Sequence, residues 1–233
     1  MGDCTSWDSV LPYLNADRFT YAFTDVRGYG RSMGFVGEYH EGEAAADTLE
    51  LTGHLGWDRF HMVGFSMTGM VVERLSIDVP ERIKSVVAIG AVSAAGYKMP
   101  DDLRQQCIDS ITDDEEFHKL LDVAFGTRLS QQWKNVKFRT ARETRTPEAA
   151  RGYLDMFTLH DFSAEAGSIT VPFLVISGRY DLPDERIEAQ RATFTQWHDN
   201  IEFVSLDCGH YAMQEMPVML QTLMDGFMDR YAD

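Results

Sequence analysis

Four short apolar runs, separated by stretches with helical periodicity, constrain the fold of this chain more than any other feature. They are Phe60–Phe65, Ile83–Ile89, Val171–Ile176 and Ile201–Leu206. Nearly continuous apolar character over so few residues fits strands covered on both faces, which is the setting of a parallel sheet. A further run, Phe19–Thr24, is rich in aromatic and β-branched residues and ends at the turn signal Asp25-Val26-Arg27-Gly28-Tyr29-Gly30, so it is predicted to be the first strand. Between these runs, Glu41 to Leu55 places Ala44, Thr48, Leu51 and Leu55 on one stripe before Gly56. Met67 to Ile77 reads as a second helix, closed by Pro80. The expected class is α/β, with a doubly wound, mainly parallel sheet.

From Ala95 to about Ala166 the strand signal disappears. Helical periodicity takes over near 101–110, 113–125, 130–142 and 147–159. The expected organisation is therefore a core of residues 1–95 and 166–233, with residues 96–165 inserted as a helical lid. A chain of 233 residues that is 44% apolar can bury the core this requires. Its net charge of −16 repels phosphate backbones and anionic membrane surfaces, so neither nucleic acid nor membrane is an expected partner. Cys4, Cys107 and Cys208 are an odd set without metal-ligand spacing, which points to a reduced, cytoplasmic setting and to no metal. The acidic run Asp113-Asp114-Glu115-Glu116 reads as a helix start favoured by the dipole.

The chemistry concentrates at Gly64-Phe65-Ser66-Met67-Thr68-Gly69, where a buried strand turns sharply into a helix. A serine hydroxyl is a weak nucleophile unless a base lies within hydrogen-bond reach and the backbone holds its oxygen exposed. Serine at such a junction also serves as an ordinary helix cap. Here the small residue two positions earlier and the helix that follows favour the nucleophile, and the Met67 N–H faces the place where an oxyanion would form.

At these residues the chain resembles the α/β-hydrolase family, from about Trp7 to the C-terminus, and most closely its esterase and perhydrolase-like branch. The motifs arrive in the family's order: Ser66, then Asp181 in Ser177-Gly178-Arg179-Tyr180-Asp181, then His210 in Asp207-Cys208-Gly209-His210-Tyr211. The resemblance implies Ser66 as nucleophile, His210 as general base and Asp181 as the acid that orients it, with no cofactor. Asp184 is an alternative acid. His40 and His160 could reach the pocket from loops, whereas His54, His61, His118 and His198 read as surface or boundary residues. Asp25, Arg27 and Tyr29 border the pocket or fasten its loop by a salt bridge. Phe65, Phe125, Trp133, Met156 and Tyr211 are the candidate substrate-binding residues, although apolar residues at helical spacing more often pack a core.

There are two departures from the family pattern. Thr68 stands where G-x-S-x-G has its last glycine, and Gly69 follows one position later. The family's strands before Phe19, including a central one ending in a His-Gly pair, have no counterpart, which reads as a truncated N-terminus. The second oxyanion donor would then come from Met1, Gly2 or Asp3, and the run at Phe19 would pair directly with that at Phe60 or another chain would fill the gap. Serine, and not aspartate, at the nucleophile position disfavours dehalogenase and epoxide hydrolase chemistry. The expected activity is cleavage of a carboxylic ester or related small-molecule acyl substrate. Carbon-carbon bond hydrolase, lactonase, perhydrolase and a non-catalytic ligand-binding role are the alternatives, and a homo-oligomer is compatible with the sequence.

Overall fold

A computed structural model of the chain describes residues 2–125, 128–183 and 186–232. Its sheet is parallel throughout. Strands β1 (Phe60–Phe65), β2 (Ile83–Ile89), β3 (Phe173–Gly178) and β4 (Ile201–Leu206) lie side by side in that order. Side chains alternate between the two faces. Val86, Ala88, Phe173 and Val175 join one core cluster, shared with α1 (Glu41–His54) and α2 (Thr68–Asp78). Val87, Ile89, Leu174 and Ile176 join the other, against α9 (Ala212–Glu215) and α10 (Pro217–Met228). Both faces are therefore covered, as the apolar runs require. β3 begins at Phe173 and not at Val171, because Pro172 has no N–H to give to a ladder.

Between β2 and β3 the chain forms α3 (Asp101–Asp109), α4 (Asp114–Phe125), α5 (Gln131–Glu143), α6 (Pro147–Leu159) and the short α7 (Ser163–Ala166). Their starts are chemically marked. The Asp113 carboxylate accepts from Glu115 and Glu116 N–H, Ser130 caps α5, and Thr146 caps α6 ahead of Pro147. The insertion has only a small apolar cluster of its own, around Phe117, Leu121 and Ala141. Arg142 therefore contributes by bonding the carbonyls of Ser110, Ile111 and Asp113 and pairing with Asp114. No helix among the described residues is long and apolar enough to cross a membrane.

The run Phe19–Thr24 is not a strand. The backbone groups of residues 20–24 have no ladder partner among the described residues, and β1 is an edge strand. Direct pairing of the two does not form. The segment is held by side chains instead: Phe19 meets the His61 ring edge-on, Trp7 meets Phe23, and the Tyr21 hydroxyl donates to Asp225. Residues 18–26 and 59–63 line a common cavity of about 760 Å³. Ala44, Thr48 and Leu51 of α1 and its C-cap Leu55 line it too, which explains why Leu51 and Leu55 are exposed although they continue the apolar stripe.

Of the histidines expected at the surface or a boundary, His61 is half-buried and His198 is placed otherwise. His198 is fully buried, with Nε2 2.7 Å from the equally buried Glu73 carboxylate. That carboxylate also accepts from Trp197 Nε1 and from Ala94 N–H, so it ties α2 to the segment after β2 and to the segment after α8 (Ile187–Phe194). His61, on β1, has Nδ1 2.8 Å from Ser85 Oγ on β2, and its Nε2 is buried without a protein partner. Burial, reinforced by the cations Lys84, Arg59 and Arg18, lowers its pKa to about 4.

The sign of the resulting stability change follows from linkage. The unfolded imidazole titrates near 6.5, so between about pH 4 and 6.5 the unfolded chain binds more protons, and stability falls as pH drops through that window. Allowing for its partial exposure, the contribution is roughly 1–2 kcal/mol. His61→Gln should flatten urea-denaturation stability between those pH values, and an unchanged slope would assign the effect to another group.

Candidate active site

The β1–α2 junction forces an unusual backbone. Ser66 has φ 54°, in the left-handed region that a non-glycine residue adopts only when its surroundings impose it. They do so here by hydrogen bonds on both sides. Ser66 N–H donates to Ile89 O at the end of β2 (3.0 Å), and its carbonyl accepts from Val92 N–H (2.9 Å) and Gly69 N–H (3.0 Å). Ser66 held in this way borders the cavity.

Thr68, the first departure from the expected motif, has a definite function in this turn. Its hydroxyl accepts from Phe65 N–H (2.8 Å) and donates to Phe65 O (2.9 Å), closing the last strand residue onto the first helical one. The residue that must lack a side chain is its neighbour. A Cβ on Gly69 would lie 2.4 Å from Val92 O, and one on Gly64 would lie 2.9 Å from both Thr68 O and Val72 Cγ2. The close approach of helix to neighbouring loop occurs one residue later than the family pattern places it, so Thr68 does not push the helix away.

Asp181 follows β3 and His210 follows β4, and the structure brings them together. His210 Nδ1 lies 3.0 and 3.1 Å from the two Asp181 carboxylate oxygens, and the Asp181 side chain is almost completely buried. Gly90, at φ +46°, gives both groups room: a Cβ there would lie 3.0 Å from Asp181 Oδ2 and 3.1 Å from His210 Nδ1. Asp181 also accepts from Leu182 N–H at 2.8 Å. Ser66, His210 and Leu182 line the cavity. The alternative acid Asp184 lies outside the described residues.

The oxyanion candidates divide. Met67 lines the cavity, and its N–H, at the start of α2, donates to no protein group among the described residues. Gly2 and Asp3 line the same cavity, but the Cys4 N–H is already committed to Asp25 at 2.7 Å. Met1 lies outside the described residues.

Of the pocket candidates, Phe65, Phe125 and Tyr211 border the cavity. Met156 does not; it is 1% exposed and packs in the core, while its neighbours Tyr153 and Phe157 face the cavity. Trp133 also stays off the cavity wall. It packs edge-on against Phe125 and Tyr211 and donates Nε1 to Gln214, so it supports the wall from behind. Beside it, Lys137 lies 3.8 Å from the Tyr211 ring centroid, and burial lowers its pKa to about 8.

The remaining loop residues fasten the structure. Arg27 holds Asp47 through two 2.7 Å bonds, the Asp25 carboxylate accepts from Arg31 N–H as well as Cys4 N–H, and buried Tyr29 borders the cavity. His40 caps α1 and His160 pairs with Glu41; neither borders the cavity. Sequence reasoning missed the structural role of Thr68 and the contribution of Gly90, because both depend on contacts with other elements.

A comparison with protein families settles the affiliation. The alpha/beta hydrolase fold family matches residues 2–217. The chain belongs to this family. Fluoroacetate dehalogenase from Burkholderia is 26% identical over an alignment of 243 residues, covering 91% of this chain and 78% of that protein. Pimeloyl-(acyl-carrier protein) methyl ester esterase from Klebsiella pneumoniae is 27% identical over 188, covering 75% and 70%. Among solved structures, a thermophilic esterase from Thermogutta terrifontis superposes with a TM-score of 0.83 at 19% identity, covering all of this chain and 87% of that one, and that likeness shows the shared fold.

The turn geometry gives a direct test. Gly69→Ala should drive Cβ into Val92 O, lower the melting temperature by several degrees and displace Ser66. Thr68→Ala loses two hydrogen bonds to Phe65 and should cost roughly 1–2 kcal/mol in denaturant unfolding. Gly69→Ala as stable as the parent would refute the close-packing account.

Proposed function

We propose that the protein is a serine hydrolase that cleaves a carboxylic ester or related acyl substrate through Ser66, His210 and Asp181. The observation that carries the reading is the conjunction at one cavity of a strained serine turn and a carboxylate-oriented histidine. Ser66 attacks the acyl carbon while His210 takes its proton. Asp181 keeps the Nδ1 proton in place and stabilises the imidazolium without itself becoming protonated. The tetrahedral oxyanion receives the Met67 N–H, with Gly2 or Asp3 as the second donor. His210 then protonates the leaving alcohol, and water activated by the same base resolves the acyl-enzyme.

One feature of the chain and one of its relatives favour acyl chemistry over dehalogenation, despite the dehalogenase among its relatives. The side chain at the turn is a hydroxyl, whose ester with the substrate is hydrolysed at the acyl carbon. The methyl ester esterase relative is also named for cleavage of a carboxylic ester. The apolar wall formed by Phe65, Phe125, Tyr153 and Phe157 suits the apolar part of an acyl group, and α3 to α6 act as the lid over it.

Turnover of p-nitrophenyl acetate tests the reading. Ser66→Ala should reduce kcat by at least about 10³-fold, and Asp181→Asn should lower it by roughly 10³–10⁴-fold with little change in folding stability. A folded protein whose rate is the same with and without Ser66 would overturn the proposal. A series of acyl chain lengths would then define the substrate.

A further inference from the structure

The helical insertion reaches both loops of the acid-histidine pair through one ion pair. Arg128, between α4 and α5, meets the Glu215 carboxylate at the end of α9. Both oxygens of that carboxylate accept from Gly209 N–H, at 3.0 and 3.2 Å, and Gly209 directly precedes His210. The same guanidinium lies over the ring of Tyr180, 5.3 Å from its centroid, and Tyr180 directly precedes Asp181. The two loops are themselves joined, since Tyr180 N–H donates to Cys208 O at 3.0 Å.

The ion pair lies directly over Gly209. A Cβ on Gly209 would lie 2.8 Å from Arg128 Nη2 and 3.1 Å from Glu215 Oε1. Gly209 is not among the glycines at positive φ, so what its missing side chain provides here is space under the ion pair, which a Cβ would push aside. The Glu215 side chain is only 9% exposed against 32% for Arg128. A mostly buried carboxylate beside the histidine loop is thus neutralised by a residue of the insertion, and removing the cation leaves the charge where it is poorly solvated.

We propose that Arg128 and Glu215 form a clasp by which the insertion positions the Asp181 and His210 loops. Glu215 is a positioning residue, acting on His210 through the Gly209 amide. Arg128 makes that action depend on where the insertion sits, so this contact, beside the packing of Phe125, Trp133 and Lys137 on Tyr211, couples the cover of the pocket to the alignment of its base. The proposal rests on the Ser66–His210–Asp181 reading for its kinetic arm only.

The charged groups around His210 fix the signs expected in a test. Asp181 bonds Nδ1, Lys137 faces the far ring of Tyr211, Arg179 and Asp207 neutralise each other at the surface, and Glu215 and Arg128 meet beside Gly209. Arg128→Gln leaves a bare carboxylate near the imidazole, which favours its protonated form and moves the acid limb of the kcat/KM profile to higher pH. Glu215→Gln keeps an acceptor for Gly209 N–H but leaves a bare cation, which moves the limb to lower pH. Each variant should lose roughly tenfold in kcat with KM within about twofold of the parent. The double variant should return the limb to the parent position, and Arg128→Lys should do so in part.

These profiles, measured with p-nitrophenyl acetate on variants shown to be folded by their melting transitions, decide the matter. A pair with only a structural role would lower kcat without opposed limb shifts, and limbs that stay fixed or move together would overturn the clasp. Hydrogen exchange at the Gly209 amide gives an arm independent of turnover. Faster exchange in folded Arg128→Gln supports the clasp even if Ser66 proves dispensable for hydrolysis, and unchanged exchange overturns it.

Discussion

Placing a serine at positive φ between a strand and a helix creates a local debt in backbone energy, of order 1–3 kcal/mol, that the rest of the fold must hold in place. Three hydrogen bonds to Ser66 do this, one from the end of β2 and one each from the segment after it and from the new helix. They work only because Gly64 and Gly69 let α2 approach the strand and the Val92 backbone, and because Thr68 seals the strand end. Gly90 extends the same logic, since it leaves room directly beside the Asp181–His210 pair. The turn and the acid-histidine pair are thus set by the same few residues at the end of β2.

The cavity beside this turn belongs to a different part of the energy balance. A sealed, dry void of about 760 Å³ would cost roughly 18 kcal/mol at 24 cal/mol per Å³, more than the 5–15 kcal/mol that stabilises a typical domain. The space is therefore tolerable only if it is open to solvent or filled. Its walls come from α1, the segment 18–26, β1 and the helical insertion, so none of these can close it alone.

The sequence revealed what depends on local pattern. The strand runs at Phe60, Ile83 and Ile201 and the helices from Glu41 and Met67 follow from periodicity, and the tight turn at Ser66 and the meeting of Asp181 with His210 follow from motif order and neighbouring glycines. What it could not reveal depended on partners distant in the chain. Phe19–Thr24 has strand composition, yet a strand exists only where another backbone offers complementary groups, and β1 does not come alongside. Met156 sits on the same helix as Tyr153 and Phe157 but turns to the core. His198 carries no local sign of the buried Glu73 that holds it.

The position of the site within the sheet also bears on how the site is assembled. Ser66 belongs to the unit β1–α2–β2, which is contiguous in sequence, and Asp181 and His210 belong to the equally contiguous β3–α8–β4. The seam between these halves is the β2–β3 ladder, whose two strands are separated along the chain by the whole helical insertion. Local units of this kind form early in folding, whereas a contact across a long loop carries the entropy of closing it and comes late. Each half can be largely native while Ser66 and the Asp181–His210 pair are still apart, so the site is completed only when the two halves dock, and its assembly on refolding lags the return of secondary structure.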